Sequence, residues 1–148
     1  MKGNQKVIDE INFLLADELT AISQYMVHSE MCKNWGYEKL ADTIEKRAID
    51  EMKHAETHIE RILFLEGLPI VSNLNKINIG TDVLTMLKND HAAEDGAIRE
   101  YNKAIKLCSD LADNGTREIL EDILGDEEAH IDWIEAQLDQ IEQMGIQN

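Results

Sequence analysis

The sequence predicts an all-α fold, a four-helix bundle with one long crossover between its second and third helices. Three observations predict it. Apolar residues recur at three- and four-residue spacing through four long stretches, the pattern of a helix with one buried face. The single proline, Pro69, falls in the gap between the second and third stretches. A Glu-x-x-His pair occurs twice, at Glu51/His54 and Glu127/His130, with the two copies 76 residues apart. On a helix that spacing puts both side chains on one face, one turn apart.

The first helix is predicted over about 4–34, where Val7/Ile8, Ile11, Leu14/Leu15, Leu19, Ile22 and Tyr25/Met26 form the apolar stripe. Glu18 lies inside that stripe, at mid-helix, with no easy route to water. Asn34-Trp35-Gly36-Tyr37 breaks the pattern and makes a tight turn. The second helix, about 38–66, carries Leu40/Ala41, Ile44, Ala48, Ala55, Ile59 and Ile62/Leu63, with Glu51 between Ala48 and Ala55. His54 completes the pair with Glu51; His58 and His28 read as satisfied or partly exposed histidines. Glu66-Gly67-Leu68-Pro69 ends the helix, with Gly67 expected to take the left-handed cap position.

The segment from Gly67 to Thr81 is long for a helix-helix connection. Extended at about 3.3 Å per residue, it spans roughly 45–50 Å. A helix of roughly 28 residues is about 42 Å long. The crossover can therefore run the whole bundle, joining two hairpins. Ile70, Val71, Leu74, Ile77 and Ile79 are expected to pack along the bundle or against a neighbouring chain.

The third helix, about 82–112, places Val83/Leu84, Leu87, His91, Glu94, Ile98, Tyr101, Ile105 and Cys108 on one face. Gly96 in its interior costs about 1 kcal/mol of helix propensity, so close packing or local distortion is expected there. The fourth helix, about 117–144, is expected to start from an N-cap at Thr116 and stop at Gly145. It carries Ile119/Leu120, Ile123/Leu124, Glu127, His130/Ile131, Ile134, Leu138 and Ile141, with Trp133 one turn past His130.

A chain of 148 residues, 43% hydrophobic and 30% charged, suits one domain spanning 1–148. Its formal charge of −16 should repel nucleic acid and anionic membranes and attract cations. No apolar run reaches the length of about 18 residues that a membrane span needs, and none follows Met1-Lys2-Gly3 as an export signal would. Two cysteines, Cys32 and Cys108, make no disulfide framework, and the expected location is cytoplasmic.

Glu18 precedes Glu51 by the same 33 residues that separate Glu94 from Glu127. All four fall near mid-helix and can meet at one level of the bundle. Four buried, unpaired carboxylates would be prohibitive, whereas two divalent cations neutralise them. That is the ligand pattern of carboxylate-bridged two-metal bundles. Imidazole with carboxylate favours iron, manganese or zinc over magnesium, and iron(II) if oxygen chemistry follows. Glu51 and Glu127 are expected to bridge, with Glu18 and His54 ending one position and Glu94 and His130 the other. Tyr25 lies one turn past Ile22, either as a core tyrosine or as a redox or supporting group.

Further segments carry a resemblance: the Met1-Lys2-Gly3 start, Ile49 to Ala55, Glu60 to Pro69, Asp126-Glu127-Glu128 and His130-Ile131-Asp132-Trp133. In these the chain resembles the bacterioferritins, haem-containing members of the ferritin superfamily. The resemblance implies an up-down-down-up bundle and a 24-subunit shell built from two-fold dimers. It implies two iron ions per subunit, oxidation of Fe(II) by oxygen or hydrogen peroxide, and ferric mineral stored inside. It also implies haem b shared between two subunits through Met52 of each, a pocket of Leu19, Ile22, Met26 and Ile49, and a ferredoxin-type electron donor.

Three departures stand out. Glu45 occupies a position where the family often has an aromatic residue. Lys46-Arg47 stand where a histidine and a glutamate can serve an inner-surface iron site near Asp50, and basic groups should repel iron there. The sequence stops at Gln147-Asn148 without the short fifth helix, predicting wider or less ordered four-fold openings. Two other readings are a rubrerythrin-like peroxide reductase, which usually adds a Cys-x-x-Cys iron domain, and a non-catalytic structural or DNA-protecting shell. The six ligands in register and the acidic surface favour the ferroxidase.

Overall fold

The computed structural model describes residues 1–146. Among them are four helices: α1 (Gln5–Asn34), α2 (Glu38–Phe64), α3 (Val83–Asp110) and α4 (Asn114–Met144). Gln147-Asn148, on which the expectation about a fifth helix was stated, lie outside the described residues. α1 packs mainly on α2 and α3 mainly on α4, so two hairpins lie side by side, with α1 against α3 and little contact between α2 and α4.

The apolar stripes meet in two clusters. One holds Ile8, Ile11, Leu14 and Leu15 of α1 with Ile62, Ala104, Leu120 and Ile123. The other holds Tyr25, Cys32, Ala41, Ile44 and Met86. Glu18, Glu51, Glu94 and Glu127 are buried as well, on the same four helices.

Helix ends differ from the sequence reading in two places. At the end of α2 the left-handed residue is Glu66 (φ 63°), not Gly67. Gly67 N–H donates to Ile62 O and Glu66 N–H to Leu63 O, the paired bonds of a Schellman cap. Gly67 is small for another reason: a Cβ there would lie 2.7 Å from Ile8 Cγ2. α4 begins at Asn114, earlier than expected, because Asp113 rather than Thr116 caps it, accepting from the Thr116 N–H. Thr116 is buried and accepts a bond from Arg61. Gly145 does end α4, with φ 81° and its N–H on Ile141 O.

The crossover, residues 65–82, starts beside the chain's beginning, where Gly3 N–H donates to Leu65 O. It then runs along α1, held by a row of polar side chains. Asn12 bonds both Leu68 O and the Ile70 N–H. Thr20 accepts from the Asn75 N–H, Gln24 from the Asn78 N–H and His28 from the Gly80 N–H. The crossover therefore spans the bundle as its length predicts, but its apolar residues do not hold it down. Val71 and Leu74 are more than half exposed. Backbone amides of an extended strand need acceptors, and α1 supplies them as side chains.

Gly96 fits neither expectation. A Cβ there would meet nothing within 4 Å, and the helix runs through it unbroken. It lines a cavity of about 360 Å³ between α1 and α3, roofed by Asn75, Lys76 and Asn78 and reaching Glu18 and Glu94.

Candidate metal centre

Every helix contributes to one buried cluster. Glu18 comes from α1, Glu51 and His54 from α2, Glu94 from α3, and Glu127 and His130 from α4, and all are buried. The six residues expected from the sequence are brought together in two overlapping groups, Glu18/Glu51/His54/Glu127 and Glu51/Glu94/Glu127/His130. Within each group one donor atom per residue lies within 4.8 Å of all the others. Glu51 and Glu127 belong to both, as two bridging carboxylates must.

The donor atoms are aimed at one another without being satisfied by one another. Glu18 Oε2, Glu51 Oε1, His54 Nδ1, Glu94 Oε2, Glu127 Oε1 and His130 Nδ1 are all buried and without a hydrogen-bond partner. His54 Nδ1 approaches Glu127 Oε1 to 2.9 Å, and His130 Nδ1 approaches Glu51 Oε1 to 3.1 Å, without hydrogen-bond geometry. Six orphaned donors converging in one interior are costly unless a cation joins them. Carboxylate oxygens with two imidazole nitrogens are a suitable donor set for first-row divalent ions, so the residues fit a pair of iron ions.

Each imidazole is oriented from behind. His54 Nε2 bonds Asp126 Oδ2 at 2.8 Å, and His130 Nε2 bonds Asp50 Oδ2 at 3.0 Å. A carboxylate on the far nitrogen fixes the ring and leaves Nδ1 bare toward the centre. The two rings stack at 6.4 Å between centroids. The sequence reading gives Asp50 and Asp126 no such role, although they too stand 76 residues apart.

Protons occupy the cluster in the absence of cations. Burial, reinforced by the neighbouring Glu51, raises Glu18 well above the carboxylate range, and burial with Glu94 and Glu51 raises Glu127 as well. Burial would raise Glu51 too, but the close approach of Glu18, His130 and His54 outweighs it and holds it low. Burial opposes a charge on both histidines and is outweighed by the acids around them. Glu127, Glu18 and Glu51 raise His54 far above its ordinary value, while Glu51 and Glu94 raise His130 to about 9.

Tyr25 sits at the edge of the centre, its hydroxyl donating to Glu94 Oε1 at 2.5 Å. The sequence missed its counterpart. Tyr101, read as an apolar stripe residue, donates to Glu18 Oε1 at 2.5 Å and bonds His58 Nε2 at 2.6 Å. The signal was available, because Tyr25 and Tyr101 are also 76 residues apart, like Glu18 and Glu94. His28 and His58 are fully buried and satisfied, His28 by Asp90 and the crossover. His91, expected on the core face, is partly exposed and paired with Glu135.

Met52 lies outside the cluster, about half exposed, and Met26 and Ile49 are similarly exposed. Leu19 and Ile22 instead pack against the core. Arg47 lies over the Trp133 ring at 5.6 Å and 3.9 Å from Asp50.

Among the described residues, no helix is long and apolar enough to cross a membrane. The family model for a ferritin-like domain matches residues 8–144. The chain is 43% identical to the bacterial ferritin of Paramagnetospirillum magnetotacticum, over all of this chain and 92% of that protein. It is 40% identical to a bacterioferritin of Rhodobacter capsulatus, over 99% of this chain and 91% of that one. It is 39% identical to a bacterioferritin of Mycolicibacterium paratuberculosis, over 99% and 92%. With a four-helix bundle, a buried carboxylate-imidazole cluster and full-length similarity on the page, the chain belongs to the bacterioferritin family of ferritin-like proteins.

Proposed function

We propose that the protein is an iron-storage ferroxidase, oxidising Fe(II) with oxygen or hydrogen peroxide and retaining ferric mineral inside a shell of its own copies. The observation that carries this reading is the set of six buried, unpartnered donor atoms in two groups that share Glu51 and Glu127. Two substrate Fe(II) ions would be held there, one by Glu18 and His54, the other by Glu94 and His130, with Glu51 and Glu127 between them. Together they can supply two electrons to one oxidant molecule. The protein's own groups keep the pair in place: Asp126 and Asp50 orient the imidazoles, and Tyr101 and Tyr25 each hold one terminal glutamate.

The chain is read as one domain in a 24-subunit assembly, located in the cytoplasm. Haem b would be held between two subunits by Met52 of each, supplying an electron path toward the interior. The exposed Met52, Met26 and Ile49 support that reading, since apolar side chains at a helix surface suit a covered position. A ferredoxin-type donor would deliver the electrons.

The test is oxygen consumption by metal-free protein after Fe(II) addition, with the wild type compared with Glu18→Ala and Glu127→Ala. Both variants should lose rapid consumption while keeping helicity by circular dichroism. Wild-type kinetics in both would remove the centre from the reaction. An anomalous-scattering map at the iron edge reports the number of ions bound, and a Soret band after haem supplementation, lost in Met52→Leu, reports the haem.

A further inference from the structure

The two metal positions share Glu51 and Glu127 and are otherwise built alike, but the groups behind their own ligands differ. Tyr101 donates to Glu18 Oε1 and Tyr25 to Glu94 Oε1, at positions related by the 76-residue repeat. Behind Tyr101 stands His58, its Nε2 2.6 Å from the phenol oxygen and the two rings stacked. The repeat puts Ile134 at the equivalent place in the other half, a buried side chain with nothing to donate. Among the described residues, the Tyr25 hydroxyl bonds Glu94 alone.

The direction of these bonds follows from counting hydrogens. A phenol has one, and that of Tyr101 is committed to Glu18. His58 Nε2 therefore carries a hydrogen and donates it to the phenol oxygen. Burial and the neighbouring His54 push the His58 imidazole down to about 3, so it stays neutral. A donor on the phenol oxygen polarises its O–H, and the bond to Glu18 is stronger than that of an isolated pair. Glu18 is thereby fixed through Oε1, leaving Oε2, buried and unpartnered, for a cation. The imidazoles repeat the asymmetry. Among the described residues Asp126 pairs with His54 alone, whereas Asp50 is shared between His130 and Arg47, 3.9 Å away. A carboxylate shared with a guanidinium pulls less on the imidazole N–H and leaves that ring the poorer metal donor.

We propose that His58 is a positioning residue that acts through Tyr101 on Glu18 and makes the Glu18–His54 position the tighter of the two. The Glu94–His130 position is then the one that fills second and empties first. A ligand already held in its binding orientation loses less freedom when the ion arrives, and only Glu18 is held by a chain of two bonds. The inference rests on the two-ion ferroxidase reading above and gives the pair an order: the ion beside Glu18 is retained while its neighbour exchanges.

The experiment adds Zn(II), which is not oxidised, to metal-free protein at one ion per subunit. Anomalous scattering at the zinc edge in crystals reads the occupancy of each position, and competition with a chelating dye reads affinity for the first ion in solution. In the wild type the Glu18–His54 position should hold several-fold more zinc than the Glu94–His130 position. His58→Leu should bring that ratio close to one and weaken the first ion roughly 10-fold, the lower end of what outer partners of metal ligands contribute. Tyr101→Phe removes the middle of the chain and should do the same, which keeps the test open if His58→Leu does not fold. His58→Gln restores an N–H donor and should recover most of the wild-type ratio, a rescue that a space-filling role would not produce. Circular dichroism checks the helices of each variant. Equal or reversed occupancy in the wild type overturns the proposal, as does a folded His58→Leu protein that keeps the wild-type ratio. Wild-type protein that binds zinc at neither position defeats the metal centre and the ferroxidase reading with it, and the total zinc bound separates that outcome from the others.

Discussion

Metal-free protein should lose stability as the solution turns alkaline, and His130 allows the loss to be sized. Its imidazole is raised from 6.5 to about 9 in the folded bundle, because the adjacent Glu51 and Glu94 carboxylates outweigh burial. A group whose folded pKa exceeds its unfolded value stabilises the fold fully below the unfolded pKa. That stabilisation is then lost as pH rises through the folded pKa. For His130 the window is from 6.5 to about 9, and the amount is about 3 kcal/mol. Glu18 and Glu127 act in the same direction, since both hold protons in the fold that the unfolded chain releases above 4.5. Glu51 acts oppositely, but its contribution is complete above 4.5 and does not change in this window. With urea slopes of about 1–3 kcal/mol per molar, the His130 share alone should lower the unfolding midpoint by about 1–3 M. The assay is urea unfolding followed by circular dichroism in chelator, at pH 6 and pH 9.5. His130→Leu should remove the His130 share, about 3 kcal/mol, and leave the shares of Glu18 and Glu127. Zn(II) should reverse its sign, because cations and protons compete for the same atoms and alkali favours the cation. A metal-free midpoint that holds or rises between the two pH values would refute the reasoning.

Three substitutions away from the centre test the backbone account. Gly96→Ala should stabilise α3 by about 1 kcal/mol in thermal unfolding, because the new methyl meets nothing and helix propensity improves. Ala112 sits at φ 57° at the end of α3 as Glu66 does after α2, so Ala112→Gly should stabilise by about 1 kcal/mol in the same measurement. Gly80→Ala should cost about 1–3 kcal/mol, because its Cβ would land on the Met86 backbone where the crossover turns into α3.

The helices and the six cluster residues were legible because both obey strict periods. The apolar stripes follow the helical turn, and the acids and histidines follow the 76-residue repeat. Tyr101 was hidden because its spacing also suits an ordinary core position, and only its contact with Glu18 separates the two readings. The polar row on α1 was hidden differently. Asn12, Thr20, Gln24 and His28 serve residues more than fifty positions away, and side-chain acceptors for a distant strand leave no local pattern. Glu66 in place of Gly67 at the α2 cap reflects a competition that composition cannot resolve. The glycine was needed one position later, where Ile8 presses on it.

The crossover is the sole covalent tie between the α1–α2 hairpin and the α3–α4 hairpin, while each metal position draws ligands from both. Ions held by these residues would rivet the seam. A protein cut at the exposed Val71 to Leu74 stretch would become two fragments joined by the shared apolar core and tightened by metal. Coexpressed halves that assemble with a divalent ion and part in chelator would turn this bundle into a reporter of cellular iron.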